Sequence, residues 1–125
     1  MGPGEPDDLL TEMARCRPWI EAALTHSGGT HEWDDVVAGI RGGDLQFWPA
    51  ADACVVTEVL DYPRRRVLNV FLAGGRLETL KDMTDSIRAW ARAQGCSGAT
   101  LYGRPGWARV LPGWRLRHVV MEMEV

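Results

Sequence analysis

The chain has 125 residues, of which 46% are hydrophobic and 25% are charged, and its formal net charge is −3 at pH 7. This is the length of one domain with the composition of a globular protein, which excludes wholesale disorder. No apolar run is long enough to cross a bilayer, so we expect no membrane span. The first residues are acidic and rich in Gly and Pro, unlike a secretory signal. We therefore expect residues 1–8 to form a flexible acidic tail and residues 9–125 to form one soluble domain.

The charge is unevenly distributed along the chain. Acidic residues outnumber basic ones in residues 1–62, and the reverse holds for residues 63–125. Such asymmetry can orient a protein against a partner, so we expect protein partners. The pI of about 5.6 argues against nucleic acid as a main ligand. The pattern leaves the oligomeric state open.

The cysteines and histidines indicate neither a disulfide framework nor a metal centre. The three cysteines are Cys16, Cys54 and Cys96. They are odd in number and widely spaced, which is typical of buried small side chains rather than a metal-binding pair. The cluster at His26, His31 and Glu32 spans a Gly-rich loop, so its side chains do not share one helical face. We expect no metal site.

Two helices are predicted in the first third of the chain. Apolar residues recur at helical spacing from Leu9 to Leu24, and Pro18 is expected to open a separate helix within this range. A second amphipathic helix starts near Trp33, where apolar residues occur at i, i+3, i+4 and i+7. Thr30 is its expected N-cap, and the pair Gly42-Gly43 is expected to end it.

The middle of the chain has the composition of β-strands. The segments Leu45–Trp48, Ala53–Leu60 and Arg65–Ala73 are apolar or rich in β-branched residues, and tight turns separate them. This spacing predicts a three-strand antiparallel meander. The pair Gly74-Gly75 then interrupts the strand pattern.

A long helix is predicted next, from Leu77 to Gln94. One of its faces is apolar and is expected to pack on the sheet: Leu80, Met83, Ile87, Trp90 and Ala91. A short strand at Ala99–Tyr102, a short helix at Gly106–Leu111 and a last strand at Arg115–Val125 are expected to follow. The order of elements predicts an α+β fold.

This order resembles that of the GNAT family of N-acetyltransferases. The resemblance implies a mostly antiparallel mixed sheet flanked by helices, with a long central helix after the third or fourth strand. The segment Trp107–Trp114 is similar to the family's late short helix and its Gly-aromatic turn. The segment Val70–Arg76 lies where the family places the loop that binds the pyrophosphate of acetyl-CoA.

The resemblance implies a cofactor site and a pair of catalytic residues. Gly74, Gly75 and Arg76 are the candidates for binding acetyl-CoA, because backbone N–H groups at a helix start can hold phosphate oxygens. The alternative is that the two glycines form only a strand-to-helix turn. The family often uses a Glu as base and a Tyr as acid, and the candidates here are Glu58 and Tyr102.

Two functions are consistent with these residues. The segment before the long helix lacks the family's Gln/Arg-x-x-Gly-x-Gly/Ala pattern, and the late short helix carries no Tyr. Several short phrases also resemble small GNAT-like proteins of phages and prophages, such as residues 16–19 and 61–64. The first hypothesis is a non-catalytic binding or assembly protein with no cofactor, located in a bacterial cytoplasm or packaged in a virion. The alternative is an acetyl-CoA-dependent N-acyltransferase.

Overall fold

A computed structural model describes residues 6–103 and 106–125 of the chain. The helices in these ranges are α1 (Pro6–Leu24), α2 (Trp33–Gly42), α3 (Leu77–Ala93) and α4 (Trp107–Val110). The strands are β1 (Leu45–Pro49), β2 (Ala53–Asp61), β3 (Arg66–Gly75) and β4 (Gly98–Leu101). None of the described helices is both long and apolar enough to cross a membrane.

The four strands form one mixed sheet in the order β1-β2-β3-β4. The first three are antiparallel neighbours, as the meander prediction requires, and β4 runs parallel to β3. Helix α3 supplies the crossover between these two parallel strands, which need a connection of a dozen or more residues. The α+β class, the mixed sheet and the long helix after the third strand are thus confirmed.

Helices α1 and α2 cover one face of the sheet. Alternate residues of β2 point to opposite faces, so Cys54 and Val56 face these two helices while Ala53 and Val55 face α3. The core on the first face is completed by side chains from both helices and two further strands: Met13, Cys16, Ile20, Val36, Ile40, Phe47 and Leu72. The apolar face predicted for the second helix is therefore confirmed.

Helix α3 covers the other face of the sheet. Its buried side chains are Leu80, Ile87 and Ala91, and the partly buried Trp90 packs beside them. They meet a core built from the strands: Trp48, Ala53, Val55, Leu68 and Val70. The face of the long helix that was expected to point inward does point inward.

Helix α1 is longer and less interrupted than the sequence indicated. It begins at Pro6, so Pro6 to Asp8 belong to the helix rather than to a tail, and residues 1–5 lie outside the described part of the chain. Pro18 lies inside the helix and does not open a new one. Proline removes one helical hydrogen bond. Pro18 is exposed, so water can bond the carbonyl that loses its partner.

Glu32, not the predicted Thr30, is the N-cap of α2. The Glu32 backbone N–H donates to Asp35 Oδ2 at 2.9 Å, which ties the start of the helix to its first turn. The hydroxyl of Thr30 instead contacts His31 Nδ1 at 2.7 Å. At the other end, Gly43 caps the helix in the left-handed conformation with a φ of 88°, as the Gly42-Gly43 prediction required.

The predicted last strand, Arg115–Val125, is wrong for this structure. Residues 115–125 form neither helix nor strand, and all of them are exposed. A strand needs a neighbour for its backbone hydrogen bonds. In the described part of the chain, β4 is an edge strand whose only partner is β3. The alternating pattern of the segment is real, but the folded chain gives it no partner.

The cysteine environments lead to a first prediction. Cys16 on α1 and Cys54 on β2 are fully buried, and their thiols contact each other across the core. Burial raises the pKa of all three thiols, most strongly that of Cys54, so access to solvent is what distinguishes Cys96 from Cys16 and Cys54. In the native protein at pH 8, an aromatic disulfide reagent should label the half-buried Cys96 and leave these two untouched. Denaturant should release all three. Rapid native labelling of all three thiols would contradict the packing of α1.

Candidate functional site

The pairing of the parallel strands β3 and β4 stops before β3 ends, and we call the space beside the last residues of β3 the gap. Their pairing runs from Val67↔Gly98 to Val70↔Leu101. Strand β4 ends at Leu101, whereas β3 continues to Gly75. In sheets with parallel strands, ligands bind in crevices outside the carboxyl ends of those strands. The gap beyond Val70 and Leu101 is therefore the candidate site.

Strand β3 carries a bulge at the start of this gap. Val56 pairs with Leu72 and Thr57 with Val70, so Phe71 is an extra residue in β3. A bulge leaves its extra residue out of the regular ladder and often lies beside an active site, where it redirects groups of the strand. It follows directly after the last β3–β4 pair, so it places backbone groups of Phe71 at the mouth of the gap.

A row of polar side chains crosses three strands next to the bulge. Asn69 Nδ2 donates to Glu58 Oε2 at 2.8 Å, and Thr100 Oγ1 donates to Asn69 Oδ1 at 2.9 Å. Asn69 is only 2% exposed, so both of its hydrogen bonds are made inside the protein. These hydrogen bonds hold the Glu58 carboxylate beside Asn69. Asn69 is one residue before Val70, the last residue of β3 that pairs with β4. Sequence reasoning missed Asn69, although a single polar residue in the apolar run 67–72 is a usable signal.

His31 also lies beside the bulge. Its ring centroid is 4.6 Å from that of Phe71, with the two planes tilted by 58°. The contact of its Nδ1 with the Thr30 hydroxyl holds the ring. Sequence reasoning examined His31 only as a metal ligand. In the described residues, no three His, Cys, Asp or Glu side chains come together as a metal site would require.

Gly74 and Gly75 are required by close packing at the end of β3. A Cβ on Gly74 would lie 2.9 Å from Trp19 Cβ and 3.0 Å from the Trp19 carbonyl oxygen. Gly75 has a φ of +104°, and a Cβ there would lie 2.4 Å from both Ala53 Cα and the Asp52 carbonyl oxygen. The glycines therefore let β3 approach α1 and β2, which is a structural reason for both.

Arg76 is the one residue between β3 and α3, and it faces an acidic partner. Its Nη1 is 3.8 Å from Asp52 Oδ2, and its backbone N–H donates to the Asp52 carbonyl at 2.9 Å. The other carboxylate oxygen, Asp52 Oδ1, accepts a 2.6 Å hydrogen bond from Thr79 Oγ1 in the first turn of α3. A carboxylate of this chain thus lies at the helix start, where a ligand phosphate would gain from the helix dipole.

Tyr102 follows the end of β4 and is 66% exposed. It therefore lies at the carboxyl end of β4, on the rim of the gap. Within the described ranges, no hydrogen bond joins Tyr102 to Glu58. Glu58 lies on β2 and Tyr102 lies just beyond the end of β4, so β3 stands between the two candidate catalytic residues.

An apolar groove adjoins the gap on the α3 side of the sheet. It has a volume of about 410 Å³ and runs between α3, β4 and the segment that contains α4. Its walls include Leu68, Ile87, Leu101, Trp107 and Trp114. A groove of this size and lining suits the apolar part of a small ligand.

The comparisons with known proteins identify the fold. No protein-family model matches the chain, and no curated protein matches its sequence. Solved structures do match over nearly the whole chain. A GNAT family acetyltransferase from Staphylococcus aureus is 7% identical, with a TM-score of 0.57 over 92% of this chain and 93% of the other. An acetyltransferase from Trypanosoma brucei is 12% identical, with a TM-score of 0.62 over 92% and 94%.

A third solved structure gives the same result. A ribosomal-protein-alanine N-acetyltransferase from Brucella melitensis biovar Abortus is 11% identical, with a TM-score of 0.60 over 91% of this chain and 95% of the other. The chain has the GNAT fold. Identities this low establish the fold alone, so the activity has to be argued from the site.

Proposed function

We propose that the chain is an acyl-CoA-dependent N-acyltransferase whose donor lies in the gap between β3 and β4. The observation that carries this proposal is the bulge at Phe71, directly after the last β3–β4 pair. A bulge leaves backbone groups outside the regular ladder, and just beyond the end of β4 such groups would be available to a ligand's amide or thioester oxygens. The acetyltransferase names of the structural neighbours support the same activity.

The residues fit an acyl-CoA in part. The gap and the adjoining apolar groove offer length for a pantetheine arm, and the N–H groups at the start of α3 lie at the end of β3. Gly74, Gly75 and Arg76 would lie against the pyrophosphate. The Asp52 carboxylate competes there for Arg76, so we expect the diphosphate to be held less firmly than the pantetheine.

The proposed chemistry assigns separate roles to the two candidate catalytic residues. The bound thioester would supply the acyl group, and an acceptor amine would form the new C–N bond as the C–S bond breaks. Glu58, held by Asn69, would accept the proton of the amine directly or through one water molecule. Tyr102 would supply a proton to the leaving thiolate from the rim of the gap.

Isothermal titration with acetyl-CoA tests the proposal. We expect a dissociation constant in the micromolar range that enzyme–substrate pairs commonly show. Absence of binding at millimolar acetyl-CoA would overturn the acyltransferase proposal. Transfer can then be followed as thiol release from acetyl-CoA in the presence of primary amines, with Glu58→Gln as the matched control.

A second prediction concerns Arg76, which is exposed and makes one weak ion pair. Arg76→Ala should weaken acetyl-CoA binding several-fold if Arg76 contacts the diphosphate. It should change the free energy of unfolding by less than about 0.5 kcal/mol, because exposed substitutions are usually this mild. Titration and denaturant melts of the same variant separate the two effects. Unchanged affinity would show that Arg76 is no ligand contact.

The second candidate function is a non-catalytic binding or assembly protein. It is favoured by the ion pair between Arg76 and Asp52 and by the one-residue connection to α3. The resemblance of short phrases to phage proteins supports a virion setting for it. The titration decides between the two candidates, because this alternative expects no acetyl-CoA binding.

A further inference from the structure

Two arginines line the apolar groove between α3, β4 and the segment that contains α4. They are Arg88 and Arg92, and both are exposed residues of α3. Among the described residues, no acidic side chain lines the groove, and its remaining walls are apolar or uncharged. The groove therefore combines an apolar interior with positive charge on the side of one helix.

Neither arginine is neutralised by an acidic side chain. None of the ion pairs formed by the described residues involves Arg88 or Arg92. By contrast, Arg66 at the start of β3 is held by Asp61 at 2.6 Å. The guanidinium groups of Arg88 and Arg92 are thus available to an anion that enters the groove.

The end of α3 does not depend on Arg92 as a cap. Basic side chains near a helix C-terminus often bond the last carbonyl groups. Here backbone groups already do so, because the Gly95 N–H donates to the Arg92 carbonyl and the Cys96 N–H donates to the Ala91 carbonyl. Closure of the helix therefore does not account for the position of the Arg92 side chain beside the groove.

The spacing of the two arginines suits one anionic group. Residues four apart are neighbours on one face of a helix, roughly 6 Å apart along its axis. Arginine donates paired hydrogen bonds to a carboxylate or a phosphate. From Thr84 to Arg92 the groove follows about 12 Å of α3, which is long enough for an extended aliphatic chain. Trp107 and Trp114 in the facing wall offer broad apolar surfaces to such a chain.

We propose that the groove binds a single-chain aliphatic anion, with its chain along α3 and its head group on Arg88 and Arg92. Burial of the chain supplies most of the affinity, and the two arginines select the anion. Carboxylate and phosphate head groups share the required chemistry. The inference uses neither Glu58 nor Arg76, so it stands or falls separately from the proposed acyl transfer.

Calorimetric titration of the full chain with decanoate tests the proposal. We expect saturable binding of one decanoate per chain. Decanol, which has the chain without the charge, and acetate, which has the charge without the chain, should each bind at least about tenfold more weakly. Comparison with decyl phosphate identifies the preferred head group. If neither anion binds at millimolar concentration, or if decanol binds as tightly as decanoate, the proposal is wrong.

The double variant Arg88→Gln, Arg92→Gln tests the head-group contacts. It should weaken decanoate binding at least about tenfold and leave decanol binding unchanged, because it removes only charge-assisted hydrogen bonds. The matched control is Arg41→Gln, Arg64→Gln, since these two arginines are also exposed but do not line the groove. Circular dichroism and the melting temperature should be those of the native chain for both double variants. Native affinity for decanoate in the groove variant would contradict the assignment of the head group.

The variant Ala99→Phe tests the position of the chain. Ala99 is an exposed residue of β4 that lines the groove, so a phenyl group there should fill part of it and abolish decanoate binding without unfolding the domain. Ala38→Phe is the control, because Ala38 is an exposed residue of α2 outside the groove. The melting temperature of each variant shows whether it is folded. A folded Ala99→Phe variant that binds decanoate like the native chain would place the chain elsewhere and overturn the proposal.

Discussion

Gly75→Val is expected to lower the free energy of unfolding by more than about 4 kcal/mol, a loss that is exceptional for a single substitution. Gly75 has a φ of +104°, a conformation that β-branched residues rarely adopt. The added side chain would also meet Ala53 Cα and the Asp52 carbonyl oxygen at 2.4 Å. Both are backbone atoms, one in the first residue of β2 and the other in the residue before it, so relief requires the start of β2 to move away from the end of β3.

Gly43→Val is the matched control for this prediction. Gly43 has a similar φ of +88°, but nothing lies within 4 Å of the position of its Cβ. The Gly43→Val variant should therefore lose only about 1–2 kcal/mol of unfolding free energy, which is the cost of the backbone strain alone. Urea melts of both variants measure the difference. If Gly75→Val costs no more than Gly43→Val, the close approach of β3 to β2 is wrong.

Trp90→Ala should cost about 3 kcal/mol of stability, the lower end for removing a packed tryptophan, because the ring is only partly buried. Trp90 packs its ring edge-on to Trp48, with centroids 5.7 Å apart and planes at 77°. Removing it leaves a cavity between α3 and the sheet and abolishes this aromatic contact.

The control for Trp90→Ala is Asp85→Ala, because Asp85 is an exposed residue of the same helix that does not line the groove. It should change the unfolding free energy by less than about 0.5 kcal/mol. Denaturant melts followed by circular dichroism give both values. A loss below about 1 kcal/mol for Trp90→Ala would mean that Trp90 does not face the sheet.

The elements that the sequence predicted well are those whose pattern is local. The spacing of apolar residues from Trp33 and along Leu77–Gln94 reports helices that bury one face. The meander strands likewise carry their own β-branched composition and turns. These patterns arise from short-range geometry, so they can be read before any tertiary contact is known.

The features that the sequence did not predict depend on neighbours in space. Whether Pro18 interrupts α1 depends on which side of the helix meets water. The extra residue at Phe71 is visible only when β3 is aligned against β2. The polar row through Asn69 joins three strands. A strand at residues 115–125 requires a partner, and an alternating pattern alone does not provide one.

In the candidate site, too, some features have a local pattern in the sequence and others depend on neighbours in space. Glu58, Gly74, Gly75 and Arg76 are candidates because the family resemblance implies a site at their positions, and their roles remain predictions. The sequence could not reveal that Asp52 faces Arg76, because the two residues are far apart in the chain. Their proximity follows from the β2–β3 register, which brings Ala53 opposite Gly75.

The placement of one core on each face of the sheet has a consequence for how the domain unfolds. Strands β2 and β3 contribute side chains to both cores. Loss of packing on either face of the sheet therefore exposes apolar side chains of these same two strands. The helices on opposite sides do not need to touch in order to depend on each other. We therefore expect the domain to melt as a single cooperative unit, with the amides of β2 and β3 exchanging with solvent only when the whole chain opens.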